Sequence, residues 1–388
     1  MSDRPEADRP SPLPPRADPP AEAGRRFQTV LFGTYARGDF QGLYAAELDR
    51  LAGRLAPARR LADLPNPGFI AVAADGRRLV VVGRGPVGSP TADGRIAALR
   101  IAPDVQSADL LNELPTRGQG PCHVALHPRG RFAAVAHYAG GSVEIFALDD
   151  DGKIDRPTDF VQHHGAGVDP ERQTSPHVHS AQFDPAGRHL LTADLGLDQV
   201  TVYPFDARRG AVGPPVTPPG AVPPGQGPRH AAFHPDGSTL FVINEMGATV
   251  TVFRYEPETG ALERGPTVDA LPADYQGPRR AAEILVHPAG RFLYCSHRGE
   301  DTVATLALDP AGGPPRRLGA APTGGAWPRS FDLDADGQWI VAANQNGGNA
   351  AVLRIEPETG LAVPTGCTID VPDPVCVRLL PQTAPRPS

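Results

Sequence analysis

The sequence predicts an all-β fold, a seven-bladed β-propeller with four antiparallel strands in each blade. A pattern of about fifty residues recurs along the chain, and its turn glycines are Gly76, Gly130, Gly187, Gly237, Gly290 and Gly337. Each copy joins an apolar run to a second run, rich in β-branched and aromatic residues, through a Pro-x-Gly or Asp-Gly turn, which is typical of a β-hairpin. Four-stranded repeats of this period are typical of propeller blades.

The first two strands of a unit are clear in "GPRHAAFHPDGSTLFVINE", residues 227 to 245. A third strand follows a few residues later, as in "SVEIFAL" and "TVTVFRYEPETG". The Pro-Glu-Thr-Gly ending is turn chemistry and predicts a fourth strand after it.

The two ends of the chain predict the seventh blade. The segment "DPVCVRLLP" near the carboxyl end resembles a first strand but has no second strand after it. The segment "FQTVLFGTYARGDFQGLYAAELD" near the amino end fits a second strand over 29–34 and a third over 42–48. We expect both ends to share one blade, because closing the ring removes the free sheet edges of an open array.

Composition sets the domain boundaries and excludes several partners. Residues 1–26 contain seven prolines and predict a disordered tail, 27–381 form the propeller, and 382–388 a short tail. A net charge of -7 offers no basic field for nucleic acid. The sequence has no run of 18 apolar residues, so it predicts no membrane-spanning helix. Four sparse cysteines without a CxxC pair favour a reducing, cytoplasmic location. The oligomeric state stays open.

Ionisable residues collect at one face of the predicted disc. The start of strand one and the end of strand two emerge on the same face of an antiparallel blade. Residues at or beside the strand-one starts are Cys122, His123, His177, His179, Arg229, His230, Glu283 and Arg329. Residues at or just after the strand-two ends are Arg84, His137, Tyr138, Asp194, Asn244, Glu245, His297, Arg298 and Asn344. We expect the two sets to surround one mouth of the central channel.

This set favours chemistry on an anionic ester or lactone. Arginine guanidinium groups bind carboxylate or phosphate in bidentate fashion. Either His179 or Glu245 could act as a general base on water, with Arg229 stabilising the developing oxyanion. Cys122 and His123 are neighbours on a strand and are expected to point to opposite sides, so we interpret Cys122 as a small buried thiol.

Other mechanisms have less support in the sequence. The sequence contains no GxSxG motif, so nothing in it predicts a serine nucleophile. Lys153 lies in an acidic loop, which argues against Schiff-base chemistry. The "HVH" at 177–179 lacks an obvious third ligand, so we expect no metal.

Taken in order, these motifs resemble the seven-bladed propeller lactonases, which include propeller-type 6-phosphogluconolactonases and are related to fungal carboxy-muconate lactonising enzymes. The resemblance covers residues 27–381. It rests on "GPCHVALHPRGRF", "PHVHSAQFDPAGRHLLTADLGLDQVTVY", "GPRHAAFHPDGSTLFVINE", "AAEILVHPAGRFLYCSHRG" and "ANQNGGN".

The resemblance implies hydrolysis of 6-phosphogluconolactone to 6-phosphogluconate in the pentose phosphate pathway, without a cofactor. In the muconate-type relatives a His, two Arg and a Glu are the proposed active-site set. By motif these residues are His179, Arg229, Glu245 and Arg298. We expect contacts to the substrate from His123, Tyr138, His177, His230, Glu283, His297, Arg329 and Asn344.

The sequence leaves some alternatives open. His297 stands where the family usually has Asn, and Met246 to Ala248 alter the residues after the Glu. The lactone could therefore differ from the family's best-known substrate. A muconate-type cycloisomerase would use a similar site to close a lactone, and a propeller could also serve as a binding scaffold without catalysis.

Overall fold

The computed structural model describes residues 26–35, 41–86, 88–89, 92–310 and 312–382. Its strands form seven antiparallel sheets arranged in a ring, which confirms the predicted seven-bladed propeller. The predicted tails, 1–26 and 382–388, lie outside the described residues except for Arg26 and Gln382. The described ranges contain no helix that is long and apolar enough to cross a membrane.

Blades one to three contain the first twelve strands. Blade one holds β1 (Phe27–Thr34), β2 (Leu43–Asp49), β3 (Arg54–Leu55) and β4 (Arg59–Ala62). Blade two holds β5 (Pro67–Val72), β6 (Arg78–Gly83), β7 (Arg95–Ile101) and β8 (Ala108–Pro115). Blade three holds β9 (Pro121–Leu126), β10 (Phe132–His137), β11 (Ser142–Leu148) and β12 (Ile154–Gln162).

Blades four and five continue the ring in chain order. Blade four holds β13 (Val178–Phe183), β14 (His189–Asp194), β15 (Gln199–Asp206), β16 (Ala211–Val212) and β17 (Gly220–Ala221). Blade five holds β18 (Pro228–Phe233), β19 (Thr239–Asn244), β20 (Thr249–Tyr255) and β21 (Leu262–Asp269).

Blades six and seven precede the closing strand. Blade six holds β22 (Ala281–Val286), β23 (Phe292–His297), β24 (Thr302–Ala307) and β25 (Arg316–Pro322). Blade seven holds β26 (Pro328–Leu333), β27 (Trp339–Asn344), β28 (Asn349–Ile355) and β29 (Ala362–Asp370). The last strand is β30 (Pro374–Leu379).

The last strand closes the ring as the sequence predicts. β30 pairs with β1 in antiparallel register from Val30↔Leu379 to Thr34↔Pro374 and becomes the innermost strand of blade one. The backbone amide of Tyr35 donates to the carbonyl of Asp373 at 3.1 Å. Inner strands β30, β5, β9, β13, β18, β22 and β26 then contact one another in an unbroken circle.

The inner strands share an irregularity just after their first residue. In blade five, Pro228 pairs with Asn244 and His230 with Ile243, so Arg229 is an extra, bulged residue. The same register shift occurs at Gly68, Cys122, His179, the 282–283 pair, Arg329 and Val375. A bulge leaves its extra residue unpaired and re-aims side chains, and here it allows consecutive residues to face the channel mouth.

The opposite face of the disc is fastened by histidines that follow the inner strands. Nε2 of His127 lies 2.9 Å from the carbonyl oxygen of the turn glycine Gly187 in the next blade. His234 and His287 repeat the contact at 3.0 Å with the turn glycines Gly290 and Gly337. Nδ1 of His127 and Nδ1 of His287 each accept a backbone amide two residues on, which leaves Nε2–H free to donate. These histidines link neighbouring blades away from the channel mouth.

The hydrophobic core lies between neighbouring blades, and burial is greatest in the second strands and falls towards the outermost strands. Every residue of β10, β14, β23 and β27 is buried, because both faces of these strands pack against neighbouring sheets. Most residues of the outer strands β21 and β29 are half-buried or exposed. The inner hairpins therefore carry the strongest sequence signal, and the outer strands the weakest.

Truncation of residues 374–388 should destabilise the whole ring. It removes the closing strand, including Val375, Val377 and Leu379, which are at most 9% exposed. Burial of such side chains contributes about 1.5–3 kcal/mol each, so the loss of about 5 kcal/mol or more approaches the whole stability of a typical domain. Thermal unfolding should show a fall in Tm of more than about 10 °C or no folded state.

The matched control is truncation of residues 383–388, which leaves β30 and its pairing with β1 intact. This variant should unfold at the temperature of the full chain. Equal Tm values for the two truncations would show that closure by β30 does not stabilise the ring.

Candidate active site at the channel mouth

One mouth of the central channel opens into a cavity of about 740 Å³. This size is within the range of pockets that hold small molecules. Residues from all seven blades and their connecting loops line it, among them Tyr35, Gln41, Asn66, Arg84, Cys122, Tyr138, Arg172, His179, Glu245, Arg298 and Arg329. Side chains from both ends of the inner hairpins therefore lie at this mouth.

The carboxylate of Glu245 is the centre of the charged groups. Its Oε2 lies 2.8 Å from Nη2 of Arg298 and 3.1 Å from Nε of Arg229. Its Oε1 accepts from Nη2 of Arg172 at 2.7 Å. Glu245 itself is 5% exposed, so these contacts take place in a largely desolvated environment.

Burial alone would raise the pKa of Glu245, but the charges of Arg298 and Arg229 and the hydrogen bond from Arg172 outweigh burial and hold that pKa well below its ordinary value. The carboxyl is therefore ionised at neutral pH. Burial lowers the pKa of Arg298 to about 10, against the opposing charge of Glu245, so this guanidinium stays protonated. Arginine N–H groups bind both oxygens of this carboxylate, which leaves it poorly placed to take a proton from water.

His179 has a different electrostatic environment. Its Nε2 lies 3.7 Å from Oε2 of Glu245, and its side chain lines the cavity. Burial, and next the charge of Arg229, lower the pKa of His179 well below its ordinary value, although Glu245 opposes the change. The imidazole is therefore neutral at pH 7 and has a lone pair to accept a proton.

Arg229 lies beneath Glu245 rather than on the wall of the large cavity. Its Nη1 donates to the carbonyl of Ala282 at 2.6 Å and to Nε2 of His230 at 3.1 Å. Because Nε2 of His230 accepts this bond, Nδ1–H donates to Oε1 of Glu283 at 2.6 Å. The chain of contacts from Glu283 through His230 fixes the position of Arg229 under the site.

The expected substrate contacts His123, His230 and Glu283 belong to this floor. Arg229, His230 and Glu283 line a small space of about 10 Å³ below the main cavity, which is about the size of one water molecule. The ring of His123 packs against Phe69 and His230, with centroids 4.3 and 5.2 Å away. The three residues support the site from below.

The bulge at Cys122 corrects one expectation. Cys122 lines the cavity, while the following residue, His123, packs in the ring of side chains just beneath it, so the two do not point to opposite sides. Sγ of Cys122 lies 4.0 Å from Nδ1 of His179. Burial raises the pKa of the Cys122 thiol to about 12, so it is protonated at neutral pH and is not a nucleophile.

His297 and Asn344 do not line the cavity, so this geometry gives no support for the expected substrate contacts. Each is the last residue of a second strand, and its side chain points into the disc rather than towards the mouth. Asn344 is buried and its Nδ2 donates to the carbonyl of Thr323 at 2.9 Å. His297 is 1% exposed, and burial lowers its pKa to about 3. The residue after His297, Arg298, reaches the site instead.

Tyr138 lies on the cavity wall and His177 lies behind it. Their rings stack with centroids 4.5 Å apart and planes inclined by 12°. Nδ1 of His177 also lies 2.8 Å from the backbone carbonyl of Tyr138. His177 therefore supports Tyr138, which is the residue of the pair that faces the cavity.

Arg172 is a site residue that the sequence analysis missed. Its loop is held by Gln173, which is fully buried and whose Oε1 accepts the amides of Val168 and Asp169. Asp194 anchors the loop from below, because its Oδ1 accepts the amide of His177. The loop thereby carries Arg172 to Glu245 and to the hydroxyl of Tyr138, 3.1 Å away.

The donor chemistry of the site does not favour a metal. Among the described residues, no cluster of three or more His, Cys, Asp or Glu side chains is placed to hold a metal ion. The one carboxylate on the cavity wall, Glu245, is already bound by arginines, whose positive charges repel a cation.

Three comparisons relate this site and fold to known proteins. Residues 29–379 match the family model described as lactonase, 7-bladed beta-propeller. A Bacillus subtilis protein named 6-phosphogluconolactonase is 32% identical over 354 residues, which cover 90% of this chain and 97% of that protein. A 6-phosphogluconolactonase of Formosa agariphila is 29% identical and covers 82% of this chain and 90% of its own length.

A solved structure has the same architecture at similar sequence distance. The periplasmic gluconolactonase of Pseudomonas aeruginosa superposes with a TM-score of 0.85 at 30% identity. The match covers 92% of this chain and all of that one.

Replacing Glu245 should reveal how strongly it stabilises the charged cluster. Its folded-state pKa lies below its unfolded value, so it contributes stability above about pH 4.3, which is lost as the pH falls through the folded pKa. Glu245→Gln leaves the arginines uncompensated and should cost about 3–5 kcal/mol at pH 7 and clearly less at pH 3. Urea unfolding at both pH values measures the difference.

Glu258→Gln is the matched control, because Glu258 forms an exposed ion pair with Arg188 at 2.7 Å. It should leave the unfolding free energy unchanged at both pH values. A Glu245→Gln penalty that is equal at pH 7 and pH 3 would contradict an electrostatic role for this carboxylate.

Proposed function

The chain belongs to the seven-bladed β-propeller lactonase family, and from this we propose that it hydrolyses 6-phosphogluconolactone to 6-phosphogluconate. The observation that supports this most is the cavity itself, where the neutral imidazole of His179 lies beside a protonated arginine. A base for water and a donor for an oxyanion are what lactone hydrolysis requires. A propeller that only binds a partner would not require a neutral imidazole next to a protonated arginine.

His179 is the general base of the proposed reaction. The alternative base, Glu245, has both carboxylate oxygens bound by arginines, namely Arg172, Arg229 and Arg298. Neutral His179 takes a proton from water as the water oxygen bonds to the lactone carbonyl carbon. The imidazolium that forms lies 3.7 Å from the carboxylate of Glu245, whose negative charge stabilises it.

Arg298 stabilises the oxyanion that forms at the same step. Its Nη2 is held by Glu245 and by the carbonyl of Ala281, 2.7 Å away. Its Nη1 has no acceptor among the described residues, so this group is available to the oxyanion. The role first assigned to Arg229 thus passes to Arg298, because Arg229 lies below the cavity wall and positions Glu245.

Ring opening completes the reaction. The tetrahedral intermediate collapses, the bond between the carbonyl carbon and the ring oxygen breaks, and the imidazolium of His179 returns its proton to that oxygen. One water is added, and the carboxylic acid product releases a proton at neutral pH. No redox step and no further reactant is involved.

A cytoplasmic location is part of the proposal. All four cysteines are free, which fits a reducing compartment. Fractionation of the native host tests this point, because recovery of the protein with periplasmic markers would contradict it.

His179→Gln should lower kcat for 6-phosphogluconolactone by about 100-fold or more, the usual contribution of a general base. In the unaltered protein kcat/KM falls at acid pH, where His179 becomes protonated. Because the pKa of His179 is well below its ordinary value, this fall should lie below pH 6.5. A pH-stat assay that records proton release measures both quantities.

His234→Gln is the matched control, since His234 lies on the opposite face and bonds to Gly290. It should retain kcat and the pH profile. An unaltered protein that does not accelerate opening of any sugar lactone would refute the proposed function, and cyclisation of cis,cis-muconates would indicate the cycloisomerase instead.

A further inference from the structure

The charged groups of the cavity are divided between two sides of the ring. His179, Glu245 and Arg298 come from blades four, five and six. Arg329, Tyr35 and Arg84 come from blades seven, one and two, which are consecutive in the ring and face blades four and five across the mouth. The cavity therefore has a second polar side that the hydrolytic reaction does not use.

In the part of the chain that the structure describes, the arginines on this second side have no acidic partners. Among the described residues, neither Arg84 nor Arg329 forms an ion pair, whereas Arg172 and Arg298 both bind Glu245. Arg329 occupies a bulge position, is half-buried and lies with its guanidinium carbon 5.7 Å from the centre of the Tyr35 ring. The other polar side chains on this side, Gln41 and Asn66, are neutral.

The charge of the cavity wall is therefore unbalanced. The described residues that line it include four arginines (Arg84, Arg172, Arg298 and Arg329) and one glutamate (Glu245), which gives these residues a formal charge of 4 − 1 = +3. Glu245 offsets charge only on the catalytic side. Guanidinium groups in a partly desolvated cavity without a counter-charge favour binding of an anion, and bidentate geometry favours phosphate or carboxylate.

We propose that Arg84 and Arg329, with Tyr35 between them, bind the phosphate group of the substrate and so determine its specificity. This inference rests on the proposed function. In the δ-lactone the ring oxygen joins the carbonyl carbon C1 to C5, and C5 carries the phosphorylated C6 outside the ring. A phosphate held on the Arg84 side therefore fixes the orientation of the ring, with its carbonyl towards His179 and Arg298. A phosphate monoester carries nearly two negative charges at neutral pH and pairs with both arginines. An unphosphorylated lactone leaves both unpaired.

Kinetics with two lactones test the subsite. Arg84→Gln and Arg329→Gln should each raise KM for 6-phosphogluconolactone about 10-fold, and the double variant about 100-fold. For glucono-δ-lactone, KM and kcat should stay within about twofold of the unaltered protein, because that substrate has no group for these arginines. Inorganic phosphate should inhibit glucono-δ-lactone hydrolysis competitively in the unaltered protein, and the double variant should lose this inhibition.

Arg279→Gln is the matched control, because Arg279 is a rim arginine already paired with Asp269 at 2.8 Å and does not line the cavity. It should change neither KM. Thermal unfolding of each variant separates a folding defect from a binding defect, and exposed Arg84 gives a variant whose fold does not depend on the substituted side chain.

Two outcomes would overturn the subsite. One is an equal loss with both lactones, and the other is an unchanged KM for the phosphorylated lactone in the double variant. Failure of the unaltered protein to hydrolyse either lactone would refute the proposed function instead, and is distinguishable from both.

Discussion

The buried carboxylate of Glu245 is the interaction on which the channel mouth depends. Arg172, Arg229 and Arg298 come from a loop and two different blades, and all three bind this one side chain. Without it their charges would repel one another in a space with little water. The same contacts occupy both oxygens of Glu245, which is why the proposed reaction uses the adjacent His179 as its base. One set of ion pairs therefore both neutralises the buried arginines and underlies the proposed choice of base.

The ring and its closure could be predicted because both rest on strong local signals. Each inner hairpin repeats the same turn chemistry, and the strands around it are buried on both faces, so their apolar runs are continuous. The closing blade followed from a first strand at one end of the chain and a missing first strand at the other. The ends of the outer strands were harder to predict from the sequence. Residues such as those of β21 contact solvent, so many residue types are tolerated there and no clear apolar pattern marks the strand.

The sequence predicted which face of the disc carries the site, but not the direction of each side chain. Side-chain direction depends on the bulges, which insert one residue without changing the apolar pattern; this is why Cys122 and His123 were expected on opposite sides. Asn344 was expected at the mouth for its position in the repeat, yet it points inwards to the carbonyl of Thr323. Arg172 lies in a loop with no counterpart in other blades, so the repeat gave no reason to select it. Its contact with Glu245 arises from tertiary structure alone.

The position of β30 in the chain has a consequence for synthesis. The closing strand, Pro374–Leu379, lies in the last fifteen residues of 388, and the carbonyl of Asp373 holds the backbone of Tyr35 at the cavity wall. The amino end leaves the ribosome first, so the inner edge of β1 stays unpaired until nearly the whole chain has been synthesised. The cavity is therefore completed by the final segment to be translated, and a prematurely terminated product lacks both the ring and the site.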